Sequence, residues 1–169
     1  MHVLWSGATP PGELFVKRTR IPASAEAVFA WHARPGAFQK LTPPWEPVEL
    51  VTETGGIGDG ARVELRIGRG PFRMRWVAVH EGYIEGRQFR DVQVSGPFAK
   101  WVHTHFFEPD GPDASYLEDR VEYELPFGRL GRLLGGAFAR KKIARMFDYR
   151  HAVTLRELTA GIAARPGSL

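Results

Sequence analysis

Leu117-Glu118-Asp119-Arg120-Val121-Glu122-Tyr123-Glu124-Leu125 alternates apolar and charged side chains, and Pro126-Phe127-Gly128 then leads into Arg129-Leu130-Gly131-Arg132-Leu133-Leu134, which does not. In the first stretch Leu117, Val121, Tyr123 and Leu125 share one face with Asp119, while Glu118, Arg120, Glu122 and Glu124 take the other. That is the period of a half-buried strand. From the second stretch onward Leu130, Leu133, Leu134, Ala137, Ala144, Phe147, His151, Leu155 and Leu158 recur at three- and four-residue spacing, the period of a long amphipathic helix. Gly135-Gly136 lies inside that helix, and a mid-helix Gly costs about 1 kcal/mol against Ala, so a kink or a close contact is expected there.

Working outward, residues 48–125 read almost wholly as strand and turn. Ala61, Val63, Leu65 and Ile67 alternate with Arg62, Glu64 and Arg66, and Gly/Pro-rich turns at 55–60, 68–71, 85–86, 96–97 and 109–112 separate the runs. Before them, residues 14–21 form a strand that Pro22 stops. Ser24 is an N-cap for a short helix carrying Ala25, Val28, Phe29 and His32 on one face, and Pro35-Gly36 ends it. A second short turn covers 37–41. Strands joined by short turns must be antiparallel. A six- or seven-stranded twisted sheet with one apolar face needs a cover, and the C-terminal helix is the element long enough to provide it. The expected fold class is therefore α+β, a curved antiparallel sheet around one long helix with two short helices after strand 1. Residues 1–12 are expected as an extended lead-in, 13–161 as the single domain and 162–169 as a frayed tail.

A chain of 169 residues buries roughly 70% of its unfolded surface as one domain. It contains no cysteine, which excludes disulfides, thiolate metal sites and a cysteine nucleophile. Net charge is +4, with Lys and Arg dispersed apart from Arg140-Lys141-Lys142 and Arg145, the pattern of a solvated helix face rather than a nucleic-acid surface. No apolar run approaches the ~20 residues of a membrane span, and no signal-peptide pattern opens the chain, so a cytoplasmic location is expected.

Several stretches resemble a known family. They are 28–32 (VFAWH) with 34–37 (RPGA), Pro43-Pro44-Trp45, Gly70-Pro71, Arg75-Trp76, Asp91-Val92-Gln93 with Gly96-Pro97-Phe98, Trp101-Val102-His103-Thr104-His105, Leu125-Pro126-Phe127-Gly128 and 145–151 (RMFDYRH). Across residues 14–158 the chain resembles the START-like, or SRPBCC, superfamily. That group includes lipid-transfer domains, the birch-pollen allergen family and aromatic polyketide cyclases. More narrowly, the chain is similar to a bacterial subgroup that occurs alone or fused ahead of an epimerase-like nucleotide-sugar domain. The resemblance implies a helix-grip fold and a ligand cavity, with an epimerase-like enzyme as a possible partner.

Side-chain alternation nominates the residues of such a cavity. Asp119 follows Leu117, Val121 and Tyr123 inward. Trp76, Ala78 and His80 share a face, as do Phe89, Asp91 and Gln93, and Trp101, His103, His105 and Phe107. On the last two strands the opposite faces, with Val92 and Val94 or Val102 and Phe106, compete for the interior. Large rings gain most from burial, which favours the ring-bearing faces. The candidate ligand-binding set is then Trp76, His80, Asp91, Gln93, Trp101, His103, His105, Asp119 and Tyr123 from the sheet, with Phe147 and His151 from the helix. Polar groups in such a set either orient a ligand or satisfy one another as a buried network.

Sharper readings compete. His103-x-His105 near Asp91 or Asp119 has metal-ligand chemistry, but spacing fixes no third ligand, and no metal or other cofactor is expected. A His103–Asp91 pair could move protons on a bound carbonyl compound, as in a cyclase, dehydratase or hydrolase. Gly56-Ile57-Gly58-Asp59-Gly60 faintly resembles a dinucleotide loop, but a strand follows where that loop needs a helix. Trp31 and Trp45 read as packing before gating, and His32 as a core histidine. Arg150 meets an anionic ligand head if it points inward, and water if it does not. The function expected is the binding of a small hydrophobic or amphipathic molecule. An enzyme and an interaction module are the alternatives, and no nucleic-acid partner is expected.

Overall fold

A computed structural model describes residues 12–163, so the expected lead-in at 1–11 and tail at 164–169 lie outside the described residues. Chain order is β1 (Glu13–Ile21), α1 (Ala25–Ala33), α2 (Ala37–Leu41), β2 (Val48–Thr54), β3 (Arg62–Ile67), β4 (Met74–Ile84), β5 (Gln88–Ser95), β6 (Lys100–Pro109), β7 (Ser115–Glu124) and α3 (Gly128–Ala163). A single 3₁₀ turn at Gly70–Phe72 stands where an open turn and the start of β4 are expected. Local chemistry explains the short helices. The Ser24 hydroxyl accepts from the Ala27 amide at 3.2 Å and Glu26 sits in the first turn of α1. Pro35 then pushes Arg34 into an extended conformation that ends the helix.

All seven strands form one antiparallel sheet in the order β1-β7-β6-β5-β4-β3-β2. The first strand pairs with the last, so α1 and α2 carry the chain from one edge of the sheet to the other. Register slips in β2 between Leu50 and Thr52, and in β4 between Val77 and Ala78 and again between Glu81 and Ile84. Bulges of this kind bend and twist the bulged strand, which curls the sheet. The bend decides where space remains. Helix α3 packs on β1, β7 and α2, and α1 on β6 and β7, so the β3–β5 half of the sheet faces the helices across a gap.

Burial follows the ring-bearing faces. Phe89 on β5 and Trp101, His103, His105 and Phe107 on β6 are all buried. On the other faces Val94 is 60% exposed, and Val102 and Phe106 are only partly buried. Two apolar layers result. One joins Ile21, Val28, Phe29, Phe89, Phe107 and Leu117, and the other joins Trp101, Val121, Tyr123, Ile143 and Phe147. Between them a polar band crosses the sheet.

Helix α3 departs from expectation in its first third. Leu130, Leu133, Leu134 and Phe138 are 59–82% exposed, and the buried stripe is Ile143, Phe147, His151 and Thr154, with Val153 beside it. The first four of these side chains are left uncovered, while Gly136 in the same turns lies beside Glu13 of β1, and the helix remains continuous through Gly135-Gly136. The close approach falls mainly at Gly131, where any Cβ would overlap the Pro126 carbonyl oxygen, and secondarily at Gly136, where a Cβ would stand 3.3 Å from the Glu13 carboxylate. Phe127, at φ 64°, turns the chain out of β7 into this helix.

Candidate functional site: a two-chamber cavity over a buried histidine–aspartate band

Pairing register builds the band. Asp91 stands directly opposite His80 on β4 and His103 on β6, and His105 stands opposite Asp119 on β7. Residues directly opposed across strands are within side-chain reach. His80 Nε2 lies 2.6 Å from Asp91 Oδ1, and His105 Nε2 donates to Asp91 Oδ2 at 3.4 Å. His103 Nε2 donates to Asp119 Oδ1 at 2.8 Å, and His151 Nε2, reaching down from α3, donates to Asp119 Oδ2 at 2.7 Å. Thr19 on β1 donates its hydroxyl to His151 Nδ1 at 2.7 Å, closing the far end. Two imidazoles therefore bridge the same two carboxylates, with His103 Nδ1 3.3 Å from Asp91 and His105 Nδ1 2.8 Å from Asp119. The last contact is out of line for a hydrogen bond and acts through charge.

Electrostatics sort these groups. Burial works against ionisation of Asp91, but hydrogen bonds from His103, His105 and His80 outweigh it and hold the carboxyl well below the usual range. Asp119 is likewise opposed by burial and held low by the charge of His105 and the hydrogen bonds of His103 and His151. Burial alone would lower His105. The Asp119 charge, with the hydrogen bond to Asp91, reverses that and lifts the imidazole to about 9. His32, donating Nδ1–H to the Val28 carbonyl at 2.8 Å, is driven by burial and by His105 down to about 3 and stays neutral.

Two connected chambers open above the band. The outer one, about 640 Å³, is walled by Pro47, Val48, Ile67, Met74, Pro97 and Phe98 from the sheet side and by Leu134, Phe138, Ala139, Ile143 and Met146 from α3. The inner one, about 120 Å³, is lined by His32, Ile57, Val63, Ala78, His80, Phe89, Asp91 and His105. Phe38, Leu65, Trp76, Trp101 and Arg150 border both and form the throat. Pockets of this size, largely apolar with a few polar groups at one end, suit a small molecule.

Of the sequence candidates, Trp76, Trp101, His80, Asp91 and His105 lie on the cavity wall. The others stand behind it. His103, Asp119 and His151 form the band's inner layer, and Phe147 packs edge-on against His103 with ring centroids 4.9 Å apart. Tyr123 is fully buried and donates its hydroxyl to Glu13 at 2.8 Å. Gln93 spends both ends of its amide on the backbone of Phe98, donating to the carbonyl at 2.8 Å. It pins the β5–β6 turn that carries Phe98 to the mouth, and it does not line the cavity. Trp31 is buried beside Val153, and Trp45 meets Tyr149 edge-to-face with the Arg145 guanidinium over its ring, so both are packing residues. Alternation along β3 could have flagged Leu65, and the three- and four-residue spacing of Ile143, Met146, Phe147 and Arg150 marks the helix wall. Arg150 is a wall residue whose direction sequence left open, as it did the inward faces of β5 and β6 that carry Asp91, Trp101 and His105.

A metal ion would find its donors in Asp91, His103 and His105, whose ligand atoms lie within 4.8 Å of one another. Each of these groups is already engaged by the others, by His80 or by Asp119, while the Nδ1 atoms of His80 and His105 have no hydrogen-bond partner among the described residues.

Comparisons with known proteins agree with this architecture. A nucleoside-diphosphate sugar epimerase from Corynebacterium glutamicum superposes with a TM-score of 0.67 at 27% identity, over 86% of this chain and 29% of that one. The chain thus spans under a third of that protein's length. A START superfamily protein from Mycobacterium smegmatis matches at TM-score 0.64 and 14% identity, covering 88% of this chain and 99% of its own. Norcoclaurine synthase from Thalictrum flavum, in complex with dopamine and hydroxybenzaldehyde, matches at 0.65 and 14%, covering 92% and 89%. These last two likenesses show the fold alone. No curated protein sequence matches. With the START-like helix-grip fold in place and residues 21–148 matched by its family model, the chain belongs to the polyketide cyclase/dehydrase and lipid transport family.

Proposed function

We propose that this protein binds a small amphipathic molecule, with a lipid-like, aromatic or polyketide-like body, between the sheet and α3. The observation that carries the reading is the cavity itself, an apolar outer chamber of about 640 Å³ that shares wall residues with a more polar inner one of about 120 Å³. Membership of a family that includes lipid transport supports it. Native mass spectrometry of the purified protein tests it directly. A retained ligand, or uptake from a panel of fatty acids, alcohols and aromatic ketones, is the expected result. No uptake of any member would end the reading.

Acid–base chemistry on the bound molecule is the second reading, and one observation favours it. His105 borders the inner chamber as an imidazolium at neutral pH, and Asp91 borders it as a carboxylate. An imidazolium beside a bound carbonyl or hydroxyl is a general acid of the kind a cyclase or dehydratase uses. Under this reading His105→Gln abolishes turnover and leaves ligand uptake intact, whereas loss of uptake alone returns the band to a binding role. The likeness to one part of an epimerase chain supports a third reading, association with an epimerase-like enzyme, which co-purification from the source cell would test.

A further inference from the structure

Two hydrogen-bond donors at the throat have no partner among the described residues. Arg150 Nε and Trp76 Nε1 are both sealed from water and unpaired, and both side chains border the two chambers at once. They come from opposite walls, Arg150 from α3 and Trp76 from β4. Buried N–H groups without acceptors are rare, and each loses the water it bonded in the unfolded chain. Arg150 is the more telling of the two. The guanidinium makes no ion pair with any described acid within 4 Å, although Asp91 and Asp119 belong to the band nearby, and those carboxylates are already taken by imidazoles. At the mouth, the carboxylate of Glu46 and the ammonium of Lys142 pair with each other at 3.0 Å. A planar cation with unspent donors, set where an apolar chamber meets a more polar one, matches an anion that presents two oxygens in a plane.

We propose that the throat is a carboxylate-binding subsite in which Arg150, assisted by the Trp76 indole N–H, anchors the acidic head of a ligand whose apolar body fills the outer chamber. This rests on the binding function proposed above and narrows its ligand class to monocarboxylic acids with an aliphatic or aromatic body. The head stops at the throat because Asp91 repels it from deeper in the inner chamber, and His105 screens that repulsion in part.

Matched probes with one body and different heads test the subsite. Decanoate, decanol and decylammonium are titrated calorimetrically into the native protein at neutral pH, below their aggregation limits, and then into Arg150→Met, which keeps the stem and removes the charge. Decanoate is expected to bind the native protein roughly tenfold or more tighter than decanol, the scale of a hydrogen bond to a charged group, with decylammonium weakest. In Arg150→Met the preference for decanoate disappears while decanol affinity holds, and Trp76→Phe narrows the preference without abolishing it. Equal binding of decanoate and decanol to the native protein overturns the subsite and leaves the binding function standing. Binding of none of the three probes overturns both. If Arg150→Met does not fold, the ranking of the three heads in the native protein still decides.

Discussion

Asp119 accepts from His103 and His151 and sits against the charge of His105, at 3% exposure. Removing its charge leaves three imidazoles facing a neutral amide, and breaking a buried ion pair costs about 3–5 kcal/mol. Asp119→Asn is therefore expected to lower the urea midpoint sharply with an unchanged slope, and a loss below about 1 kcal/mol would show that the band is not what holds α3 to the sheet. Two histidines of opposite habit also set the pH response. His105, raised from 6.5 to about 9, contributes stability that is complete below 6.5 and lost as pH climbs toward 9. His32, lowered from 6.5 to about 3, remains neutral while the unfolded chain takes up a proton, so stability also falls as pH drops from 6.5 toward 3. The depressed carboxyls of Asp91 and Asp119 add a further loss below their usual value of 3.8. Urea midpoints measured across pH should peak near 6.5, and His105→Gln should flatten the alkaline limb while leaving the acid limb in place. At this scale sequence showed which faces could turn inward, since alternation groups His103 with His105 and Asp91 with Phe89. It did not show that Asp91 opposes His103 and His105 opposes Asp119, because alternation leaves the pairing register of neighbouring strands open, and the turns between them set it.

At the scale of elements, α3 separates what periodicity reveals from what it hides. Three- and four-residue spacing identified the helix, yet it put Leu130, Leu133, Leu134 and Ala137 on the apolar face, and all four are exposed. Spacing reports that a face is apolar and not whether a partner reaches it. The glycines were legible in the same partial way. A close contact was expected at Gly135-Gly136, and the tightest one falls a turn earlier at Gly131. Opposite effects of one substitution follow. Gly131→Ala drives a methyl into the Pro126 carbonyl, an overpacking expected to cost about 1–3 kcal/mol. Gly135→Ala meets nothing nearer than the Leu125 side chain at 3.7 Å, an ordinary contact, and should gain up to about 1 kcal/mol of helix propensity. Thermal melts of the two variants check this, and equal shifts would mean that the β7–α3 junction relaxes freely.

For the whole molecule, the cavity is a consequence of where the helix rests. Contacts of α3 with β1, β7 and α2 fix one side of it, and the bulged strands carry the other half of the sheet away, so apolar wall residues face one another without meeting. Fold class was readable because element order alone requires a sheet covered by a terminal helix. The void was not readable, because the same alternation would describe a sheet packed solidly on that helix. Ala139 discriminates between the two arrangements. It borders the outer chamber from α3, next to the layer that holds Ile143 and Phe147. In a filled interior Ala139→Phe would be overpacked by about 1–3 kcal/mol. Across an open chamber of about 640 Å³ the added ring should settle with a stability change within about 1 kcal/mol, because it buries apolar surface as it enters. The same ring occupies the ligand's volume, so uptake of decanoate should fall with little change in the melting temperature. Unaltered uptake would put the ligand elsewhere on the molecule, and a collapse in stability would mean that the gap between β3–β5 and α3 is closed in solution.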